Sequence, residues 1–201
     1  MPTYTISPVF KNIEYIPDNN QVCKKFTTLK KFKNELEFLQ YVQHLESVIK
    51  LIDYDIRSKN IILEYISISL DNIIKLKQLK SDEKIDIMKQ ICKYIIDSHE
   101  LGIVHNDLKS KNILLTEDYK IKVIDYDLAT WNTNPARDIK QFKFLIIQLL
   151  FDIDYVQSYK NFDMYVNNVH EPLRDIFTTN DIYSILNFTN PIKTKLNLLL
   201  N

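Results

Sequence analysis

The spacing of apolar residues divides the chain into a first part of short strands and a second part made mainly of helices. Between residues 4 and 26, short β-branched and aromatic runs are interrupted by prolines and by polar residues 18–20, which predicts two or three strands joined by turns. Helical spacing over residues 29–44 then predicts a helix. Two β-rich runs, 48–53 and 60–66, indicate a pair of strands.

The strongest helical pattern begins at Ser81, whose side chain suits the N-cap position. Its apolar positions recur in steps of three and four, at Ile85, Met88, Cys92, Ile95 and His99. One face of this helix is therefore predicted to be buried, with His99 as a core histidine. Gly102 follows directly, where a left-handed C-cap favours the residue without a Cβ.

The remaining segments complete an α+β pattern. Apolar runs at residues 113–115 and 121–124 flank a short turn and predict a β-hairpin. After Pro135 the three-four spacing returns and continues to Leu149, which predicts another long helix. The pattern of residues 155–201 is typical of further short helices. A length of 201 residues suits one domain with a substantial core.

Charge and cysteine usage exclude several classes of protein. Lys plus Arg and Asp plus Glu both number 26, so no net positive field favours nucleic acid, which we do not expect as a partner. Only two cysteines occur, without a CxxC pair, which argues against a disulfide framework and against structural zinc. No leader and no apolar run of bilayer length is visible. We therefore expect a soluble, cytoplasmic protein without a membrane partner.

Glycine is the most unusual part of the composition. The chain contains one glycine, whereas average usage predicts about fourteen in a chain of this length. Phosphate-binding motifs that need several glycines are therefore absent from the sequence, including the Walker loop and the dinucleotide-binding fingerprint.

Two polar motifs flank the predicted hairpin. The run HNDLKSKN covers residues 105–112, and DYD covers residues 125–127. The chain here closely resembles the eukaryotic-like protein kinase superfamily, in which the catalytic loop reads H-R-D-L-x-x-x-N and the metal-binding loop reads D-F-G. Asp107, Asn112 and Asp125 match in identity and spacing. The preceding helix, the glycine and the hairpin also follow the order of that family.

These three polar residues suit the chemistry of phosphoryl transfer, which depends on positioning and on neutralising the charge of the transferred group. Asp107 can accept or orient the proton of an attacking hydroxyl, while Asn112 and Asp125 offer hard oxygen ligands for Mg²⁺. The alternative is that all three are ordinary turn residues at hairpin ends. That alternative does not explain why they share the register of the family.

The resemblance also assigns roles to residues near these motifs. It implies that Lys109 steadies the γ-phosphate of ATP, as the matching lysine does in the Ser/Thr-type kinases. It implies that backbone groups of Glu64 and Ile66, in the run LEYI, bind adenine. His105 has a pKa range that suits a general base, but the resemblance favours a structural role under the loop.

Upstream, the resemblance covers most of residues 20–150 with weaker motifs. It implies that Lys24 binds the α and β phosphates of ATP, with Lys25 as the alternative one residue later. Both lysines can instead belong to a solvated basic face. It further implies that Glu35, on the predicted helix, pairs with the phosphate-binding lysine, with Glu37 as the alternative.

The chain departs from the family at several positions. No Gly-rich loop precedes Lys24, so the roof over the phosphates must be built from residues 7–9 or be missing. Asp127 replaces the usual glycine, and Asn106 replaces the arginine that would hold a phosphorylated loop. Only twelve residues separate Asp125 from Asp138, without an A-P-E motif. In this respect the chain is closer to compact atypical kinases of the RIO and lipopolysaccharide-kinase types.

We therefore expect a two-lobed α+β kinase fold, with a strand-rich lobe over residues 1–66 and a mainly helical lobe over residues 67–201. The resemblance implies transfer of phosphate from ATP, with Mg²⁺, to a serine or threonine hydroxyl of a protein substrate. One alternative is a kinase-like decoy or regulator that binds a protein partner without turnover. Another is a kinase of small molecules or lipopolysaccharide.

Overall fold

Four antiparallel strands form the sheet of the first part of the chain. A computed structural model describes residues 12–132, 134–169 and 171–185. The strands are β1 (Ile13–Ile16), β2 (Gln21–Lys25), β3 (Leu51–Asp55) and β4 (Asn60–Glu64). Their order in the sheet is β1-β2-β4-β3, and β2 pairs with β4 so that Lys24 lies opposite Ile61.

One helix, α1 (Leu29–Val42), packs against this sheet. Thr28 caps its first turn by accepting a hydrogen bond from the backbone N–H of Lys31. Phe32, Leu39 and Val42 are fully buried on one side of the helix. Glu35 lies among these apolar residues, so it is a charged group that must find a partner inside the protein.

Helices make up most of the second part of the chain. They are α2 (Leu70–Leu76), α3 (Ser81–Glu100), α4 (Ala136–Phe151), α5 (Tyr155–Lys160), α6 (Phe162–Asn168) and α7 (Glu171–Thr178). The apolar faces of α3 and α4 pack against each other, and Ile91, Ile95, Phe142 and Leu145 are fully buried there. These two helices form the base on which the polar loops rest.

Short strands lie between the helices and carry the polar loops. They are β5 (Ile68–Ser69), β6 (Ile103–Val104), β7 (Ile113–Leu115), β8 (Ile121–Val123) and β9 (Thr130–Trp131). The predicted hairpin is present as β7 and β8, and β5 pairs with the outer edge of β7. Strands β6 and β9 pair with each other, which brings the chain after residue 125 back to the start of the 105–112 loop.

The first and second parts are joined by backbone hydrogen bonds next to the hairpin. The N–H of Ile49 donates to the carbonyl of Val123, and the N–H of Val123 donates to the carbonyl of Ser47. Val48 also forms a bridge with Val123. The boundary near residue 66 stays a prediction.

Several expected boundaries differ from the structure. Lys80, not Ser81, is the N-cap of α3, because the Glu83 carboxylate accepts a hydrogen bond from the Lys80 N–H and fixes the first turn one residue earlier. The strand expected at 48–53 lies at 51–55, because residues 47–49 bond to the hairpin instead. The strand expected at 60–66 ends at 64.

Other expectations agree with the structure or lie outside the part it describes. Gly102 has a positive φ of 74° directly after α3, as the C-cap pattern predicts. Helices are present at 155–160, 162–168 and 171–178, whereas residues 186–201 and the expected phosphate roof at 7–9 lie outside the described residues. None of the helices in the described ranges is long and apolar enough to cross a bilayer.

Candidate active site

A lysine on β2 joins two acidic residues that are far apart in the sequence. The Lys24 Nζ lies 2.5 Å from Oε2 of Glu35 on α1 and 2.7 Å from Oδ1 of Asp125 after β8. The side chains of Glu35, Lys24 and Asp125 are 1%, 17% and 29% exposed, so water screens the Lys24–Glu35 pair least. The structure therefore brings together three of the predicted site residues.

The alternation of side chains along β2 decides between the two candidate lysines. Lys24 shares one face of the sheet with Val22 and points towards α1, whereas Lys25 points to the other face and pairs with exposed Glu14 at 2.6 Å. On α1, Glu37 is exposed and accepts a hydrogen bond from Trp131 Nε1 at 3.1 Å. Glu35, not Glu37, is thus the glutamate that reaches the lysine.

Burial and charge change the acidity of this group of residues in different directions. Burial raises the pKa of Glu35 to about 7, although Lys24 opposes the shift. Burial also tends to raise the pKa of Asp125, but the charge and hydrogen bond of Lys24 outweigh it, so this pKa lies below its usual value. For Lys24, burial is outweighed by the two carboxylates, and its pKa is raised. Asp125 is therefore ionised and Lys24 charged at neutral pH.

The 105–112 loop is anchored from below by α4. The Asp138 carboxylate accepts hydrogen bonds from the backbone N–H groups of His105 and Asn106, each at 2.8 Å. Gln141, one turn further along the helix, accepts from the Leu108 N–H at 2.8 Å and donates to the Asn106 carbonyl at 3.0 Å. Four backbone groups of the loop are therefore held by two side chains of a buried helix.

Within the loop, two side chains hold the Asp107 carboxylate. Lys109 Nζ lies 2.7 Å and Asn112 Nδ2 lies 2.9 Å from the same oxygen, Oδ2. Asn112 Nδ2 also donates to the Asp107 carbonyl at 2.9 Å. In the part of the chain that the structure describes, no donor lies on Asp107 Oδ1 or on Asn112 Oδ1. The first of these oxygens is therefore available to a hydroxyl proton, and the second to a cation.

His105 lies under this loop and is fully buried. Its Nδ1 accepts a hydrogen bond from the Asp107 N–H at 3.2 Å, so Nε2 carries the proton and donates to the Ile124 carbonyl at 3.1 Å. Burial lowers the pKa of this imidazole, which keeps it neutral. A buried, neutral ring with both nitrogens bonded to the backbone is a structural histidine, as the resemblance predicts.

The two loops also meet through the backbone. The N–H of Ile124 donates to the Asn112 carbonyl at 3.0 Å, which connects the end of the 105–112 loop to the residue before Asp125. Asp125 has a φ of 73°, a left-handed conformation that Asp tolerates better than most residues and that occurs often at functional sites. Tyr126 follows and is buried, with its hydroxyl 3.0 Å from that of Tyr94 on α3.

The donor set suits a magnesium nucleotide. Asp125 offers an ionised carboxylate and Asn112 an amide oxygen, which are hard ligands of the kind that Mg²⁺ prefers. The described ranges contain no cluster of three or more His, Cys, Asp or Glu residues able to hold a metal alone. Protein sites for Mg²⁺ commonly use one or two carboxylates and complete the shell with phosphate oxygens and water.

The expected adenine-binding segment directly follows β4. Glu64 ends that strand, its N–H donates to the Lys50 carbonyl at 3.0 Å, and its side chain accepts a hydrogen bond from the Lys50 N–H at 2.8 Å. Ile66 is half-buried and packs against the core. Between them, the Tyr65 N–H donates to the Asn20 carbonyl at 3.1 Å. The roles of Glu64 and Ile66 stay predictions.

Comparison with known proteins identifies the family. The sequence model of the protein kinase domain matches residues 10–145, well over half of the chain. The chain belongs to the protein kinase family. The expected kinase fold of class α+β, with an antiparallel sheet first and a mainly helical part after it, is thereby confirmed.

Individual kinases are similar over part of this chain. It is 31% identical to mitogen-activated protein kinase 14 of Xenopus laevis over 108 residues, which are 50% of this chain and 30% of that protein. It is 28% identical to mitogen-activated protein kinase p38a of Drosophila melanogaster over 111 residues, with the same two coverages. It is 32% identical to the dual specificity protein kinase TTK of Mus musculus over 106 residues, 51% of this chain and 12% of that protein. The chain thus spans less than a third of the length of these curated relatives.

Two residues whose contacts sequence reasoning missed, Lys31 and Asn34, lie on one face of α1 and meet the segment after Asp125. Lys31 pairs at 2.8 Å with Asp127, the residue that replaces the usual glycine. Asn34 donates to backbone carbonyls of the segment after Asp125. The helical spacing of Lys31, Asn34 and Glu35 was the available signal, because residues three and four apart share one face.

The buried glutamate gives the kinase a pH-dependent stability that can be measured. Because folding raises the pKa of Glu35 from 4.5 to about 7, its contribution to stability is fully present below pH 4.5 and is lost as the pH rises through 7. Glu35→Gln cannot ionise. We expect the free energy of unfolding of the wild type, relative to this variant, to fall by up to about 3 kcal/mol between pH 4.5 and 8. Urea unfolding at each pH measures it, and a constant difference would contradict a raised pKa.

Proposed function

We propose that the chain transfers a phosphoryl group from ATP, with Mg²⁺, to a serine or threonine hydroxyl of a protein substrate. The observation that carries the proposal is the joining of Glu35 and Asp125 by Lys24, beside a loop in which Asp107 is held by Lys109 and Asn112. A cation, an ionised acid and a proton acceptor on neighbouring elements support the proposal, because phosphoryl transfer needs groups that bind phosphate, hold the metal and orient the acceptor.

Each polar residue has a role that follows from its contacts. Asp107 orients the acceptor hydroxyl and takes its proton through Oδ1, while its other oxygen stays bonded to the loop. Lys109 already lies beside that carboxylate and contributes positive charge where negative charge accumulates. Lys24, kept charged by its two acidic neighbours, binds the phosphates nearer the nucleoside.

Four of the predicted residues would hold the nucleotide and the metal. When bound, MgATP supplies the transferable phosphoryl group and neutralises part of its charge. Asn112 Oδ1 and the Asp125 carboxylate would hold the metal, and backbone groups of Glu64 and Ile66 would receive the adenine. Lys109 supports a serine or threonine acceptor. The dual specificity of the third named relative leaves tyrosine as an acceptor to be tested.

A small hydroxyl compound is a second candidate acceptor, and one observation favours it. Only twelve residues lie between Asp125 and Asp138, and β9 within them pairs directly with β6. So short a segment offers little surface on which to dock a peptide. Transfer assays should therefore offer both protein and small-molecule acceptors. A regulatory role with a protein partner and without turnover is favoured if neither acceptor is phosphorylated.

We propose the cytoplasm as the place of action.

The first test separates an enzyme from a non-catalytic binding protein. Asp107→Asn keeps the side-chain size but removes the proton acceptor, so turnover should fall on the order of 10² or more while nucleotide affinity and folding are retained. Phosphate transfer and nucleotide affinity should be measured on the same samples. Asp163→Asn, an exposed substitution of the same type on α6, is the matched control and should behave as wild type.

Two results would contradict this assignment. If the wild type binds MgATP but transfers nothing to any protein, peptide or small hydroxyl compound, the regulatory function is favoured instead. If Asp107→Asn transfers phosphate as fast as the wild type, Asp107 is not the proton acceptor.

The second test concerns the metal. A ligand that binds only the native state raises its melting temperature, so ATP should stabilise the wild type much more with Mg²⁺ than with a chelator. Asp125→Asn should abolish the increment that depends on Mg²⁺. An equal increment in wild type and variant, measured by thermal melting, would show that Asp125 is not a ligand of the metal.

A further inference from the structure

One amide on α1 holds the chain that follows Asp125. Asn34 is half-buried, and its Nδ2 lies 3.3 Å from the carbonyl oxygen of Tyr126, 3.0 Å from that of Asp127 and 3.2 Å from that of Ala129. Three acceptors thus converge on one group with two protons. We call residues 126–131 the post-Asp125 segment, and Asn34 is its central contact with the helix.

The same face of α1 contacts this segment on both sides of Asn34. One turn earlier, Lys31 pairs with Asp127 at 2.8 Å. One turn later, the ring of Phe38 lies 5.0 Å from that of Trp131, and two turns later Tyr41 meets Trp131 edge-on at 4.8 Å. These α1 positions are three or four residues apart and form one stripe along the helix.

The other side of the post-Asp125 segment is held by a second neutral amide. Asn106 Nδ2 donates to the Leu128 carbonyl at 3.2 Å and to Thr130 Oγ1 at 2.8 Å. Asn106 itself is fixed, because Asp138 accepts a hydrogen bond from its N–H. Both sides of the segment are therefore fixed by unmodified side chains.

Asn34 directly precedes Glu35, so the two residues respond together to the rotation and position of α1. Glu35 reaches Lys24, and Lys24 reaches Asp125, the residue directly before the post-Asp125 segment. α1 is therefore connected to Asp125 in two ways. Glu35 reaches it through Lys24, and Asn34 reaches it through the post-Asp125 segment. Movement of α1 away from the segment would open the ion pair and the amide contact at once.

We propose that Asn34 is a positioning residue, which fixes the post-Asp125 segment on α1 and thereby holds Glu35, Lys24 and Asp125 in place without phosphorylation. Asn34 touches neither nucleotide nor acceptor in this account. The proposal about turnover rests on the proposed function, whereas the proposal about the contact itself does not.

Two substitutions of similar size remove the donors of Asn34 in different ways. Asn34→Asp replaces the amide with a carboxylate that faces carbonyl oxygens, and Asn34→Leu removes the polar group without adding charge. Unpaired carbonyl groups in a half-buried site are unfavourable, so the segment should separate from α1 in both variants. Gln40→Glu, at an exposed position of the same helix, makes the matched amide-to-carboxylate change outside the stripe.

The single tryptophan reports on the contact directly. Trp131 is the only tryptophan of the chain and lies within the post-Asp125 segment, against Phe38 and Tyr41. Quenching of its fluorescence by acrylamide should increase in both Asn34 variants and stay at the wild-type level in Gln40→Glu. This measurement requires no enzymatic activity, so it tests the contact even if the proposed function fails.

Turnover tests the positioning role. At a temperature well below each melting temperature, kcat should fall about tenfold or more in both Asn34 variants, and the KM for ATP should rise because Lys24 is less well placed. Treatment of the wild type with a phosphatase should leave kcat unchanged. Greater quenching together with these kinetic changes supports the proposal.

Other combinations of results overturn part or all of it. If quenching of Trp131 stays at the wild-type level in both Asn34 variants, Asn34 does not fix the segment on α1. Greater quenching with wild-type kcat and KM overturns the positioning role, as does a lower melting temperature with unchanged kinetics, which indicates a structural role alone. A loss of kcat after phosphatase treatment overturns assembly without phosphorylation. If the wild type transfers no phosphate, the proposed function is contradicted, but the quenching result still tests the contact between Asn34 and the segment.

Discussion

The site depends on the ion pairs of the Lys24 ammonium group. This one group binds carboxylates from two distant parts of the chain. Glu35 is 11 residues away and Asp125 is 101 residues away in sequence. A buried carboxylate without a cation is costly, so the ionised form of Glu35 is tolerated in the core only while Lys24 stays near it. The sheet, α1 and the hairpin must therefore pack in one relative arrangement. The same arrangement leaves a charged lysine and an ionised aspartate at the cleft.

The second requirement is a rigid base for the loop that carries Asp107. Asp138 is fully buried, and burial alone would raise its pKa, but hydrogen bonds from His99, His105 and Asn106 outweigh that effect and keep its pKa below the usual value. An ionised Asp138 can accept from two backbone N–H groups at once and so fixes the loop on α4. Position and charge in the site are thus set by buried polar contacts, which are effective because the apolar faces of α3 and α4 exclude water around them.

Sequence reasoning found the parts of this arrangement that depend on local pattern. Apolar periodicity gave α1, α3, α4 and the hairpin, and motif spacing gave Asp107, Asn112 and Asp125. The choice of Lys24 over Lys25, and of Glu35 over Glu37, needed the structure, because each pair differs only in which face of its element meets the cleft. The bounds of strand β3 also needed the structure, because residues 47–49 bond to the distant hairpin. Helical spacing places Asn34 on one face with Lys31, but its role was missed because its three partners are backbone carbonyls, which have no side-chain signature in the sequence.

If Glu35 affects nucleotide binding by holding Lys24, the two side chains are coupled, and a double-mutant cycle measures this coupling most directly. MgATP affinity would be determined for wild type, Lys24→Met, Glu35→Gln and the double variant. If the glutamate only holds the lysine, the double variant binds no more weakly than Lys24→Met alone, and the two losses are strongly non-additive. Additive losses, or an unchanged affinity in Lys24→Met, would contradict the account.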